Sequence, residues 1–148
     1  MCVFYALFLF LGIGSVARQI LVPRPTEELI ALSAYPVSAV YREVLPEIIR
    51  RGPDAVDPLI DATRRWLERE QTNDALATAA FFSLGRICTT EAETFLGQIT
   101  RDRTRPDARE VPVWERAAVY SYARCGGPRA LDDLLALHEN AGDQYRWL

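Results

Sequence analysis

The sequence predicts an all-α fold, an α/α solenoid of about three helical hairpins, and two observations carry that expectation. The first is self-similarity at about 38 residues. Moved along by that distance, Ala80 to Ile99 falls on Ala118 to Leu137, with Ala80/Ala118, Ser83/Ser121, Arg86/Arg124, Ala92/Ala130 and Leu96/Leu134 coinciding. At 75 residues, Gly52-Pro53-Asp54-Ala55-Val56-Asp57-Pro58-Leu59 precedes Gly127-Pro128-Arg129-Ala130-Leu131-Asp132-Asp133-Leu134 with Gly, Pro, Ala, Asp and Leu in register. A fixed period in this range is the signature of stacked repeats, which present binding surfaces more often than catalytic pockets. The second observation is a helical apolar template used three times. Val37, Val40, Tyr41, Val44, Leu45 and Ile48 stand at i, i+3, i+4, i+7, i+8 and i+11, and Leu76, Ala79, Ala80, Ser83, Leu84 and Ile87 follow the same spacing. Trp114, Ala117, Ala118, Ser121, Tyr122 and Cys125 do so again, which is one face of a helix each time.

Residues 1–25 stand apart from residues 26–148, the repeat domain. Met1 to Ala17 carries no charged side chain, and Ser15-Val16-Ala17 has the small-x-small pattern of a signal-peptidase site. The run is short for a spanning helix, which needs about 20 apolar residues. No Lys or Arg precedes it, whereas Arg18 and Arg24 follow, the order that favours an uncleaved anchor with its C-terminal side in the cytoplasm. Signal peptide and anchor both stand as readings, each placing the protein outside the cytoplasm or on a membrane contacted through residues 1–17. If the segment is instead a core helix, the protein is cytoplasmic. Cys2 lies at the wrong end for a lipoprotein cysteine. Gly12-Ile13-Gly14-Ser15-Val16-Ala17 fits a dinucleotide fingerprint formally, but no alternating strands supply the βαβ unit that fingerprint needs.

Within the repeat domain, Thr26 to Leu32 reads as a short capping helix stopped at Tyr35-Pro36. The hairpins follow at about 37–70, 74–101 and 112–141. Each long helix is succeeded by a second, shorter stripe: Val56, Leu59, Ile60, Thr63; then Ala92, Phe95, Leu96, Ile99; then Leu131, Leu134, Leu135, His138. Pro53 and Pro128, each after Gly, suit the first position of a helix, where the missing N–H costs nothing. Thr90-Glu91-Ala92-Glu93 reads as a capping box at the equivalent junction. Pro46 falls inside the first long helix, where it removes a hydrogen bond and should kink the rod. The pairs Ala79-Ala80 and Ala117-Ala118, with Ser83 and Ser121, are expected where the two helices of a hairpin approach closely. The tail from Ala141, with Tyr145 and Trp147, either covers the last layer or leaves it to another molecule.

The composition is that of a single globular domain: 148 residues, 49% apolar and 25% charged, with a net charge of −3, which offers no general attraction to nucleic acid. All 17 basic residues are Arg. A bias spread so evenly reads as the base composition of a GC-rich genome rather than as phosphate recognition.

Ala117-Ala118-Val119-Tyr120-Ser121-Tyr122-Ala123-Arg124-Cys125-Gly126-Gly127-Pro128-Arg129-Ala130-Leu131-Asp132-Asp133-Leu134-Leu135 resembles the HEAT-like repeat of the type first described in phycobilin lyases. Leu84-Gly85-Arg86-Ile87 keeps part of that pattern in the second repeat, and Gly52 to Val56 keeps part in the first. The resemblance spans about residues 37–140. It implies an α/α solenoid used mostly as a scaffold or protein-binding module, with the second helices on the concave surface. Fold does not fix function. Related HEAT-like deoxyhypusine hydroxylases hold two irons with several His-Glu pairs, whereas this chain has only His138-Glu139. Nothing specifies a bilin pocket.

No catalytic residue, cofactor or metal is therefore expected. His138, the one histidine, reads as a packing and capping residue in the last turn of its helix. Cys88 and Cys125 end equivalent helices. They could pair in an exported protein, but helices pack about 8–10 Å apart while a disulfide needs Cα atoms within about 7 Å, so buried thiols are expected. The binding residues expected are Arg64, Arg65 and Glu68 on a second helix, and Arg101, Arg103, Arg105 and Arg109 in the long connection between the second and third hairpins. The resulting expectation is a non-catalytic scaffold that binds another protein. The alternatives are an accessory or subunit of a lyase-like enzyme, or a fragment of a longer solenoid.

Overall fold

The computed structural model describes residues 19–35, 38–69, 74–103 and 111–141, with side chains for these except 38–41, 103, 140 and 141. Every regular element among them is helical: α1 (Thr26–Ser33), α2 (Ser38–Arg51), α3 (Val56–Glu68), α4 (Asp74–Ile87), α5 (Thr90–Arg103), α6 (Val113–Cys125) and α7 (Pro128–Ala141), with a 3₁₀ turn, Gly52–Ala55, between α2 and α3. The consecutive helix pairs α2–α3, α4–α5 and α6–α7 fall where the three hairpins are expected. Helix α4 packs on α2 and, most extensively, on α6; α3 touches α5, and α5 touches α7. Each of α4 and α6 also rests on the second helix of the hairpin before it, α3 and α5 respectively. The short helix α1 covers the front, lying against α2, α3 and α4 through buried Leu29 and Ile30.

The apolar stripes explain the core. Leu59, Ile60 and Thr63 of α3 are buried, as are Ala92, Phe95, Leu96 and Ile99 of α5. An aromatic row crosses the hairpins: Trp66 meets Trp114 edge-on at 5.6 Å, Trp114 lies 6.2 Å from Phe81, and Phe81 stacks on Phe95 at 6.4 Å. Such contacts add about 0.5–1.5 kcal/mol each beyond area burial. Thr63 and Ser83 donate their hydroxyls to the Leu59 and Ala79 carbonyls one turn back, so these two polar groups inside the stripe are satisfied locally.

Several local expectations change. Of the small residues, Ser121 marks a contact between α4 and α6 and not one with α7: a Cβ on Gly85 of α4 would stand 2.6 Å from Cβ and 2.8 Å from Cα of Ser121 on α6. The α5 cap is shifted one residue from the expected box. Thr89 is the cap; its hydroxyl oxygen accepts from the Ala92 N–H at 3.3 Å and its carbonyl from Glu93 at 2.9 Å. The Glu91 carboxylate, with its own N–H and the Thr89 hydroxyl as donors, is held below the usual carboxylate range. Pro53 opens the 3₁₀ turn, and α3 starts only at Val56. Helix α2 runs through Pro46, which stands exposed on its surface. The stripe expected on α7 is largely outside the core: Ala130 is buried, but Leu131 and Leu135 are 60% and 51% exposed, and His138 is exposed. Val37, Val40 and Tyr41, the tail aromatics Tyr145 and Trp147, and Met1 to Ala17 lie outside the described side chains. Among the described residues no helix is long and apolar enough to cross a membrane.

Candidate protein-binding surface

The cysteine expectation is overturned. Cys88 and Cys125 are joined in a disulfide with Cα atoms 5.2 Å apart. The physical reason is that an interaxial distance does not bound a Cα distance: with Cα atoms about 2.3 Å off each axis, facing residues come within about 5 Å. Gly85 against Ser121 brings α4 and α6 together one turn earlier. Cys88, just past the end of α4 with φ of 58°, leaves the helical path toward Cys125.

The expected binding residues fall into separate settings. Arg64, Arg65 and Glu68 are exposed on α3. The Arg64 guanidinium lies 5.6 Å over the Phe95 ring and 4.0 Å from the Asp61 carboxylate, so it bridges α3 to α5 as well as facing solvent. Arg101 has a carboxylate partner already: it ion-pairs with Asp133 of α7, and the Tyr122 hydroxyl of α6 donates to the same oxygen at 2.7 Å. This triad ties three helices. The Tyr122 hydrogen bond, against opposing burial and with help from Arg101, holds the Asp133 carboxyl below its ordinary value, while burial and then that bond push the Tyr122 phenol up. Arg103 ends α5 with its side chain outside the described set, and Arg105 and Arg109 lie outside the described residues altogether.

Two features were not anticipated. Arg51, at the end of α2, donates to the Thr26 hydroxyl oxygen at 2.8 Å and to the Arg24 carbonyl at 2.6 Å, and it pairs with Glu47 at 3.5 Å. Glu47 is 6% exposed; its hydrogen bonds from Arg50, opposed by burial and reinforced by Arg51, hold its carboxyl below the usual range. The only sequence sign of this hub is its position directly before Gly52, whose φ of 62° turns the chain.

The second is an open groove of about 390 Å³ on the row formed by α2, α4 and α6, lined by Leu45, Pro46, Phe82, Arg86, Tyr120 and Arg124. Phe82 and Tyr120 meet edge-on, 5.9 Å apart at 70°, and are 36% and 50% exposed. The 38-residue repeat contained its signal, since Phe82 and Arg86 align with Tyr120 and Arg124. A second depression at α7, about 360 Å³, is lined by Ala130, Leu131, Leu134, Leu135 and His138 among others. No cluster of three or more metal-ligating side chains occurs among the described residues. Neither a family model, nor a curated protein, nor a solved structure matches the chain.

Proposed function

We propose that the chain is a non-catalytic protein-binding scaffold, an α/α solenoid of the HEAT-like repeat type, exported or membrane-anchored. The observation that carries this reading is the repeated packing of α2 on α4 and α4 on α6, beside α3 on α5 and α5 on α7. Stacking of that kind lays equivalent positions of successive hairpins side by side and makes extended surfaces. Export is supported by the Cys88–Cys125 bridge, because disulfides persist mainly in oxidising compartments, and by the uncharged run Met1 to Ala17.

The test is site-directed photo-crosslinking of the full chain in the cells that make it, with the reactive residue placed in turn at Arg65 and Tyr120. Amine-directed reagents would find no lysine side chain on this chain. Recurrent capture of one protein at either position is the expected result. Robust turnover of a substrate by the purified protein, or crosslinks to no protein at either position, would overturn it. Mass spectrometry after cell fractionation tests the location: a chain beginning at Arg18 in the periplasm, or an intact chain in the membrane, fits, and an intact soluble chain does not.

A second reading, in which a further hairpin of a longer solenoid packs on α7, is favoured by the exposure of Leu131 and Leu135. A longer reading frame encoding additional units of about 38 residues is its test.

A further inference from the structure

We propose that the face of α4 and α6 bearing Phe82, Arg86, Tyr120 and Arg124 docks a peptide segment that combines acidic and large apolar side chains. The inference rests on the scaffold reading above and assigns it a face and a partner chemistry. Its face is the row of first helices, opposite in the hairpin to the second-helix positions Arg64, Arg65 and Glu68.

The apolar half of the site is Phe82 and Tyr120, edge-to-face and half in water, with Leu45 and Pro46 of α2 extending the floor. Two large aromatic rings left in solvent on adjacent helices are not required by the core, which closes beneath them through buried Phe81, Val119 and Ser121. The charged half is Arg86 and Arg124. Each stands one helical turn beyond its aromatic residue on the same helix face, each is exposed, and neither takes part in an ion pair found among the described residues. Tyr and Arg are the residue types that dominate binding hot spots, and guanidinium groups match carboxylates two hydrogen bonds at a time.

The charge pattern selects the occupant. On α2 the positions equivalent to Phe82 and Arg86 are Glu43 and Glu47, and Glu47 is already neutralised by Arg50 and Arg51. The charged side chains that line the groove are thus Arg86 and Arg124, beside apolar surface. That is too small a patch for a polyanion on a chain of net charge −3, but it fits one or two carboxylates flanked by an aliphatic or aromatic side chain. The bridge supplies the remaining element. Cys88 lies two residues past Arg86 and Cys125 directly follows Arg124, so the disulfide fixes the two arginine-bearing helix ends relative to each other. A site held in place before binding loses less freedom on association.

The experiment is selection of a random twelve-residue peptide display library on the oxidised full chain, followed by titration of the enriched synthetic peptide. The expected result is a consensus with Asp or Glu next to a large apolar residue. Its affinity should fall at least tenfold in Arg86→Gln/Arg124→Gln and in Phe82→Ser, fall with added salt, and fall several-fold in Cys88→Ser/Cys125→Ser. Helical circular dichroism and cooperative melting of each variant establish that it is folded; the arginines and Phe82 are exposed, so all three surface changes should pass. Enriched peptides without acidic residues, or peptides that bind the double glutamine variant unchanged, would overturn the site and leave the scaffold reading standing. A selection that yields no binder would overturn the site and weigh against the scaffold reading too.

Discussion

Where α4 meets α6, Gly85 lies against the backbone of Ser121 and a disulfide bridges the helix ends. Where α1 meets α2, one guanidinium, that of Arg51, reaches Thr26 and Arg24 while pairing with buried Glu47. The first junction is covalent and steric, and it answers to reduction and to added bulk. The second is electrostatic and answers to pH. The helical fold is therefore held differently at α4–α6 and at α1–α2, and the two junctions can be broken independently.

The largest effect should come from the bridge. Replacing Cys88 and Cys125 with Ser releases a 37-residue separation and should lower stability by about 4 kcal/mol on the loop-entropy estimate, read as a lower denaturation midpoint that reducing agent reproduces in the parent protein. If reduction leaves the midpoint unchanged, the covalent half of the comparison fails. Gly85→Ala comes next, at about 3 kcal/mol, because its methyl group would meet the Ser121 backbone rather than the end of a flexible side chain. Gly85→Ala combined with Ser121→Gly should recover part of that loss in thermal melts.

Arg51→Ala should cost about 2 kcal/mol by removing hydrogen bonds from a charged donor and should expose the amides of α1 to hydrogen exchange first. The same junction predicts a pH dependence. Glu47 is depressed below its ordinary value, so the stability it contributes is fully present above the unfolded-state value of about 4 and is lost as pH falls through the lower folded one. Asp133, away from this junction in the triad of α5, α6 and α7, is depressed likewise. Acid titration of the melting temperature in Glu47→Gln should show a shallower fall than in the parent, whereas an identical fall would exclude Glu47 as a cause. Thr89→Ala should have the smallest effect, about 1 kcal/mol, since it removes one cap from α5.

How much of this was legible in the sequence differs along the same line. The helices were readable because their apolar stripes are periodic: Leu59, Ile60 and Thr63, and then Phe95, Leu96 and Ile99, are buried at the positions their spacing implies. The same spacing in α7 was misleading, since a stripe records which face could be buried and not whether a neighbour exists; Leu131 and Leu135 share the pattern and remain exposed. The cap at Thr89 was missed by one residue because Thr89 and Thr90 offer the same hydroxyl and only the helix start chooses between them. Arg51 was illegible, as a guanidinium bonding carbonyls about 27 residues away leaves no periodic trace. Of the expected binding residues, Arg64, Arg65 and Glu68 are at the surface as expected, while Arg101 is drawn into the Tyr122–Asp133 triad by helix α7, which no local pattern encodes. The paired cysteines were visible as equivalent positions, but their approach depended on Gly85.

The bridge also changes what a cut in the chain would mean. Residues 88–125 form a covalent ring that includes α5, the arginine-rich connection and α6. A protease that nicks the connection inside that ring leaves both halves tethered through Cys88 and Cys125. The nicked molecule would migrate as one species on a denaturing gel and separate into two only when reductant is added, so intactness judged without reductant would say nothing about whether the backbone had been cleaved there.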